Sequence, residues 1–206
     1  MFILVKHNIQ MKLLSIFLNL AFSAEFVTWT DGGENDVENY KNYDYSHLTT
    51  LVAFGNFTDE FVEFVHSKGV KVHYMFGTGL YDRHKLKYAA YRKKAVTELV
   101  NFAISRNIDG FNLDYEKPIY TKADKQGMVD FCKDLTDAVH ENIKGGEVSF
   151  DVPYSPWSIA CITGRCLYWD KMAEALDYIL VMSYDAQLDP VTGTPTDPFE
   201  RCTRGY

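Results

Sequence analysis

Hydrophobic positions fall into two recurring patterns along this chain. Short apolar runs rich in Val, Ile, Phe and Tyr predict strands over residues 26–29, 49–55, 70–76, 110–116, 147–154 and 178–185. Between them lie segments of helical period. Residues 59–68 carry acids in the first turn and stop at Gly69, as helix ends favour. Residues 91–106 repeat Ala95/Val96, Leu99/Val100 and Ala103/Ile104 at four-residue intervals, and residues 123–144 stack Met128, Phe131/Cys132, Leu135 and Val139 on one stripe before Gly145-Gly146. A short helix is predicted over residues 170–176.

Strand, helix and strand in repeated order predict an α/β fold of parallel βα units. The strands read as nearly continuous apolar runs, as they do when both faces of a parallel sheet are covered. Doubly wound sheets and (β/α) barrels both satisfy this pattern. After residue 185 the character changes: Pro190, Pro195 and Pro198 follow closely, and no further strand or helix is predicted before Tyr206.

Composition narrows the class. A chain of 206 residues that is 47% hydrophobic and 24% charged, with 13 Gly and 6 Pro, is neither fibrous nor disordered, and its length allows one domain or two small ones. The net charge of −7 is interspersed along the chain, so no basic stripe exists for a phosphate backbone and nucleic acid is excluded as a partner.

Met11-Lys12 followed by the apolar run Leu13 to Phe22 reads as a secretory leader over residues 1–23, cleaved after Ser23. The run is shorter than the ~20 residues a bilayer requires, so no stable membrane insertion is expected once it is removed. A buried first helix is the competing reading, and the run lacks the polar face such a helix shows. The remaining 24–206 is the single domain, with 19 basic against 28 acidic residues and a net charge of −9. Export to a lysosome or the cell exterior follows. Asn56-Phe57-Thr58 is then a glycosylation acceptor at Asn56. Cys132, Cys161, Cys166 and Cys202 allow three pairing schemes, their spacing argues against zinc, and Cys132 on an apolar helix face is expected as a buried free thiol.

The densest chemistry lies in Asp109-Gly110-Phe111-Asn112-Leu113-Asp114-Tyr115-Glu116. Parallel α/β architectures build their sites at such C-terminal strand ends. Side-chain alternation puts Asn112, Asp114 and Glu116 on one face at about 6.6 Å spacing, with Phe111, Leu113 and Tyr115 opposite. Buried carboxyls stacked this closely repel, which holds one of them protonated near neutral pH as a general acid requires. A calcium loop wants a glycine and a glutamate at positions this run does not supply.

Asp109 to Glu116 resembles the DxxDxDxE signature of the family 18 glycoside hydrolases, and Met182-Ser183-Tyr184-Asp185 resembles that family's MxYD strand end. With the Asn112 variant of the signature and Phe150-Asp151-Val152-Pro153-Tyr154-Ser155-Pro156, the likeness is greatest to the family's lysosomal exo-acting branch, and it runs from about residue 26 to about residue 185. The resemblance implies a (β/α)8 TIM barrel that hydrolyses β-1,4 links in N-acetylglucosamine oligosaccharides of the chitobiose, chitin or N-glycan-core type. It further implies retention of configuration with the substrate's own acetamido oxygen as nucleophile. On that likeness Glu116 is the general acid/base, Asp114 orients the acetamido group, and Tyr184 hydrogen-bonds its oxygen. Asn112, Met182 and Asp185 line the substrate. No cofactor is implied, and a monomer is expected.

The sequence also departs from the family. Asparagine stands at 112 where aspartate is usual, which removes one negative charge and predicts a lower or narrower pH optimum. The strand around His73 lacks the SxGG pattern, and His73 is expected as a core or lining residue. Six of the eight βα units are present, and none of Trp29, Trp157 or Trp169 matches the tryptophan expected on the last strand, so the chain reads as a family member shortened at its C-terminus. In a barrel, Cys166 and Cys202 fall at one end and are the preferred disulfide. A chitin-oligosaccharide-binding lectin and an inactive shortened isoform are the alternatives. Lectins of this type typically lose the acid, and Glu116 is intact.

Overall fold

A computed structural model describes residues 3–5, 25–30, 39–77, 81–153 and 167–182. Within them six parallel strands follow one another in sequence order: β2 (Val27–Thr30), β3 (Thr50–Phe54), β4 (Lys71–Gly77), β5 (Gly110–Asp114), β6 (Glu147–Pro153) and β7 (Tyr178–Met182). The order along the sheet never reverses, which decides for a singly wound barrel over a doubly wound sheet. A further strand, β1 (Ile3–Val5), runs antiparallel beside β7 with Ile3 opposite Leu180. It falls inside the segment read as a leader; residues 6–24 lie outside the described residues.

The sheet is curled. Strands lie about 4.8 Å apart, so β2 and β7 would be some 24 Å from each other on a flat sheet. Yet Val27 of β2 and Val52 of β3 share one buried cluster with Tyr178 and Leu180 of β7. Trp29 of β2 and Asn112 of β5 are hydrogen-bonded, and so are His73 of β4 and Tyr178 of β7, each pair spanning three strand steps. The product is a half-barrel of six parallel strands whose concave face gathers alternate residues of every strand.

The helices cover the convex face. α1 (Asp59–Ser67) starts at Thr58, whose side chain accepts from the Phe61 amide at 3.1 Å, and ends ahead of Gly69, whose φ of 75° suits glycine. α2 (Ala89–Arg106) closes on Asn107 in the left-handed region, and α3 (Lys122–Asn142) is capped at its start by Thr121. α4 (Trp169–Ala175) leads into β7. Phe61, Val65, Leu99, Ala103, Met128, Phe131 and Leu135 bury against Leu51, Val72, Phe111, Leu113, Val148 and Phe150 in one core. Each such side chain contributes roughly 1.5–3 kcal/mol relative to exposure. Cys132 is a buried free thiol within this core, where burial pushes its pKa far up.

Gly110 is dictated by packing. A Cβ there would sit 1.9 Å from the Glu147 carbonyl oxygen of β6, so only glycine admits this close approach at the foot of β5.

Candidate active site

The signature run divides between two ends of the sheet. Asp109 precedes β5 at the N-terminal end of the strands. Its Oδ2 accepts from the Val72 amide at 2.8 Å and lies 2.7 Å from His66 Nε2 of α1, fastening β4, β5 and a helix together. This first acid of the signature is part of the scaffold.

Asn112 and Asp114 stand on the concave face toward the C-terminal end. Asn112 is fully buried and uses its whole amide: Oδ1 accepts from Trp29 Nε1 at 3.2 Å, and Nδ2 donates to Ser149 Oγ at 3.0 Å and to Asp151 Oδ1 at 2.8 Å. That network fixes the amide's orientation, because the indole can only donate and the carboxylate only accept. Asp114 ends β5, half-buried, opposite Gly77 of β4. A Cβ at Gly77 would lie 2.8 Å from the Asp114 carbonyl, so glycine lets the two strand ends close up.

Glu116 lies beyond the strand and is exposed. The expected strand over 110–116 stops at Asp114 because its ladders stop there: pairing with β4 ends at Gly77 and with β6 at Phe150. Strand alternation therefore aligns Asn112 and Asp114, and the loop that follows positions Glu116. Met182 closes β7, buried, in register with Pro153. Alternation from Tyr178 and Leu180 puts it on the concave face. Tyr184, Asp185, Cys166 and Cys202 lie outside the described residues. Asn56 is exposed, in the connection between β3 and α1.

Two concave-face residues escaped the sequence reading. Asp151 of β6 is 6% exposed, and burial, first, followed by the like charges of Asp114 and Glu116, pushes its pKa up to about 7 against the opposing hydrogen bond from Asn112. The carboxyl that asparagine removes at position 112 is thus present one strand over, with its proton held more tightly than an ordinary carboxyl's. An acid inside the apolar run Val148 to Val152, at an inward register, was the available signal. The other is Trp29, whose indole nitrogen holds Asn112 from the far side of the curl.

Deeper in the same face, His73 is fully buried and burial, aided by the Lys71 cation, lowers its pKa to about 3. Its Nε2 is 3.7 Å from Glu147 Oε2, too far for a hydrogen bond, and the lowered pKa keeps the imidazole neutral. Glu147 pairs instead with Lys71. His73 is a lining residue, as expected from the sequence. Among the described residues no group of His, Cys, Asp and Glu has the arrangement of a metal site, and no helix is long and apolar enough to cross a membrane.

The pattern of the glycosyl hydrolases family 18 matches residues 8–202. Di-N-acetylchitobiase of Homo sapiens is 33% identical over 149 residues, covering 72% of this chain and 37% of the human protein. That of Rattus norvegicus is 31% identical over the same share of the chain and 39% of its own length. The chain therefore spans well under half the length of these curated relatives. Among solved structures, a chitinase from Chromobacterium violaceum superposes with a TM-score of 0.67 at 18% identity, over 86% of this chain and 62% of that one. A chitinase from Bacteroides thetaiotaomicron does so with a TM-score of 0.63 at 18% identity, over 85% and 59%. At such identity the likeness is one of fold, that of a TIM barrel. With a singly wound half-barrel, an acidic signature at the end of β5 and a family pattern matched over nearly all its length, this chain belongs to family 18 of the glycosyl hydrolases.

Proposed function

We propose that the chain hydrolyses β-1,4-linked N-acetylglucosamine oligosaccharides by a retaining mechanism in which the substrate's acetamido oxygen is the nucleophile. The observation that carries this reading is the placement of Asp114 and Glu116 in succession where β5 leaves the concave face of the half-barrel. In this reading Glu116, in the loop, gives a proton to the glycosidic oxygen. Asp114, anchored on the strand end, orients the acetamido group and offsets the positive charge that develops on it. Tyr184 donates a hydrogen bond to the acetamido oxygen, and Met182 and Asp185 line the sugar beside it. Asn112 fixes the floor beneath both acids. Side chains and substrate supply every proton and nucleophile, so the mechanism requires no cofactor.

The names of the matched relatives, di-N-acetylchitobiases and chitinases, support this substrate class. We place the protein in the secretory pathway, with residues 1–23 as leader, Asn56 as glycan acceptor and Cys166–Cys202 as disulfide, acting as a monomer.

The test is hydrolysis of N-acetylglucosamine oligomers by the full chain, with products read by mass spectrometry and Glu116→Gln in parallel. Loss of a general acid lowers turnover by roughly 10²–10⁴-fold while leaving sugar binding in place. Turnover unchanged in Glu116→Gln removes the assignment. Sugar binding without turnover in a folded parent chain replaces hydrolysis by a lectin-like role.

A further inference from the structure

A buried carboxylate at the start of α3 holds the connection that leads from β4 into α2. Asp124 is 3% exposed; its Oδ2 accepts from His84 Nδ1 at 2.8 Å and its Oδ1 from Lys87 Nζ at 3.4 Å. Its own amide donates to Thr121 Oγ1 at 3.0 Å, so the carboxylate and the helix cap form one arrangement. Burial by itself would raise the Asp124 pKa, but the hydrogen bonds of His84, Thr121 and Lys87 outweigh it and hold the carboxyl below its ordinary value. The backbones meet as closely. A Cβ at Gly127 would lie 2.6 Å from the Lys87 nitrogen, so glycine lets the connection rest directly on α3.

The fastened connection packs on the residue that stands between the two acids. Tyr115 lines a small apolar hollow with Tyr81 and Leu86 of the connection and with Met128 and Phe131 of α3. Burial raises the pKa of its phenol, Arg83 opposes that rise, and the charges of Asp82 and Asp124 add to it, so connection and helix both act on this side chain. Further along, Ile119 is buried in the core and Thr121 caps α3. The segment that carries Glu116 is thus held at Tyr115 on one side and at Ile119 on the other, and Asp124 secures the first hold.

We propose that Asp124 is a positioning residue: by fastening residues 81–88 to α3 it holds Tyr115 in place and so fixes where Glu116 stands at the mouth of the half-barrel. The hydrolytic reading is needed for its effect on turnover and not for its effect on the segment 115–121. Strand pairing ends at Asp114, so the placement of Glu116 depends on what holds the loop. A proton donor displaced by about 1 Å loses much of its rate while the contacts that bind the sugar persist. Breaking the fastening from the helix with Asp124→Ala, or from the connection with His84→Ala and Lys87→Ala together, lowers kcat by roughly 10–100-fold and leaves KM unchanged. Both changes break one fastening, so the triple variant is no slower than either. A role in stability alone predicts fewer folded molecules, each with the parent's kcat.

The experiment measures kcat and KM for N-acetylglucosamine oligomers in the parent, Asp124→Ala, the His84→Ala/Lys87→Ala pair and the triple variant, per folded molecule, beside amide hydrogen exchange over residues 115–121. Equal, non-additive losses of kcat at constant KM, with exchange over 115–121 faster by about tenfold, bear the proposal out. An unchanged kcat, losses that multiply in the triple variant, or a loss of kcat without faster exchange overturns it. Should Asp124→Ala not fold, the His84→Ala/Lys87→Ala pair decides, since both of its residues are exposed. If the parent shows no turnover, the hydrolytic reading fails and exchange alone decides: faster exchange over 115–121 supports the fastening, and unchanged exchange refutes it.

Discussion

The concave face carries two polar clusters, one toward the N-terminal ends of the strands and one toward the C-terminal ends. In the lower one, Lys71 and Glu147 pair with each other and the fully buried His73 is pushed down to about 3, leaving a neutral imidazole beside Tyr178. In the upper one, Asp151 is pushed up to about 7 and its partner is the Asn112 amide. Burial removes charge in both places, yet with different consequences. Below, burial raises Glu147 while the hydrogen bond and charge of Lys71 oppose that rise, and the histidine beside them stays neutral. Above, no described cation acts on Asp151, the proton takes that part, and the cluster remains responsive to pH next to the acids of the site.

Perturbing the two ends should separate them cleanly. The largest effect is expected at Gly110, the foot of β5, where a methyl group would meet the Glu147 carbonyl oxygen. Gly110→Ala should lose more than about 4 kcal/mol in urea denaturation, since strand and strand must part to admit it. A loss below 1 kcal/mol there would show that the sheet's lower end yields easily.

Next comes Asp151. Its pKa is raised in the folded chain from an ordinary 3.8 to about 7, so the folded state holds the proton more tightly and stability falls as pH rises from about 4 to 7. Asp151→Asn lacks that penalty. Thermal or chemical unfolding should find it more stable than the parent by about 4 kcal/mol at pH 8 and no different near pH 4. An equal difference at both pH values would mean that Asp151 does not titrate on folding.

His73 gives the opposite sign. Its folded pKa of about 3 lies below the ordinary 6.5, so it adds stability above pH 6.5 that is lost as pH falls toward 3. His73→Gln should flatten that acid limb, removing a loss of about 2 kcal/mol between pH 6.5 and 5. The alkaline limb of hydrolysis should not move; a shift there would join the two clusters that the comparison keeps apart.

Smallest is Asp109, the first acid of the signature. Asp109→Ala removes the carboxylate that meets His66 and the Val72 amide, at a cost of about 1–3 kcal/mol. Activity per folded molecule should be unchanged. A drop in kcat without a drop in stability would return Asp109 to the chemistry.

Much of this was legible in the residues. Where the residues are described, the six parallel strands and four helices match their predicted positions to within about two residues, because each alternates a short apolar run with a capped amphipathic segment. Asp109-Gly110-Phe111-Asn112-Leu113-Asp114 also declared its two faces, since side chains on a strand must alternate. The end of β5 was not legible: whether residues 115 and 116 continue a strand depends on partners in β4 and β6 that stop pairing one residue apart.

Local sequence thus determined the elements and made Asp114 and Glu116 the candidate acids, because hydrophobic period and short motifs are properties of neighbours along the chain. Tertiary structure alone chose the barrel, through a strand order that never reverses and a curl that brings Trp29 onto Asn112. It alone gave Asp151 its environment. Burial and the field of other carboxylates act through space, and the 39 residues separating Asn112 from Asp151 hold no record of a hydrogen bond that forms only when β5 and β6 lie side by side.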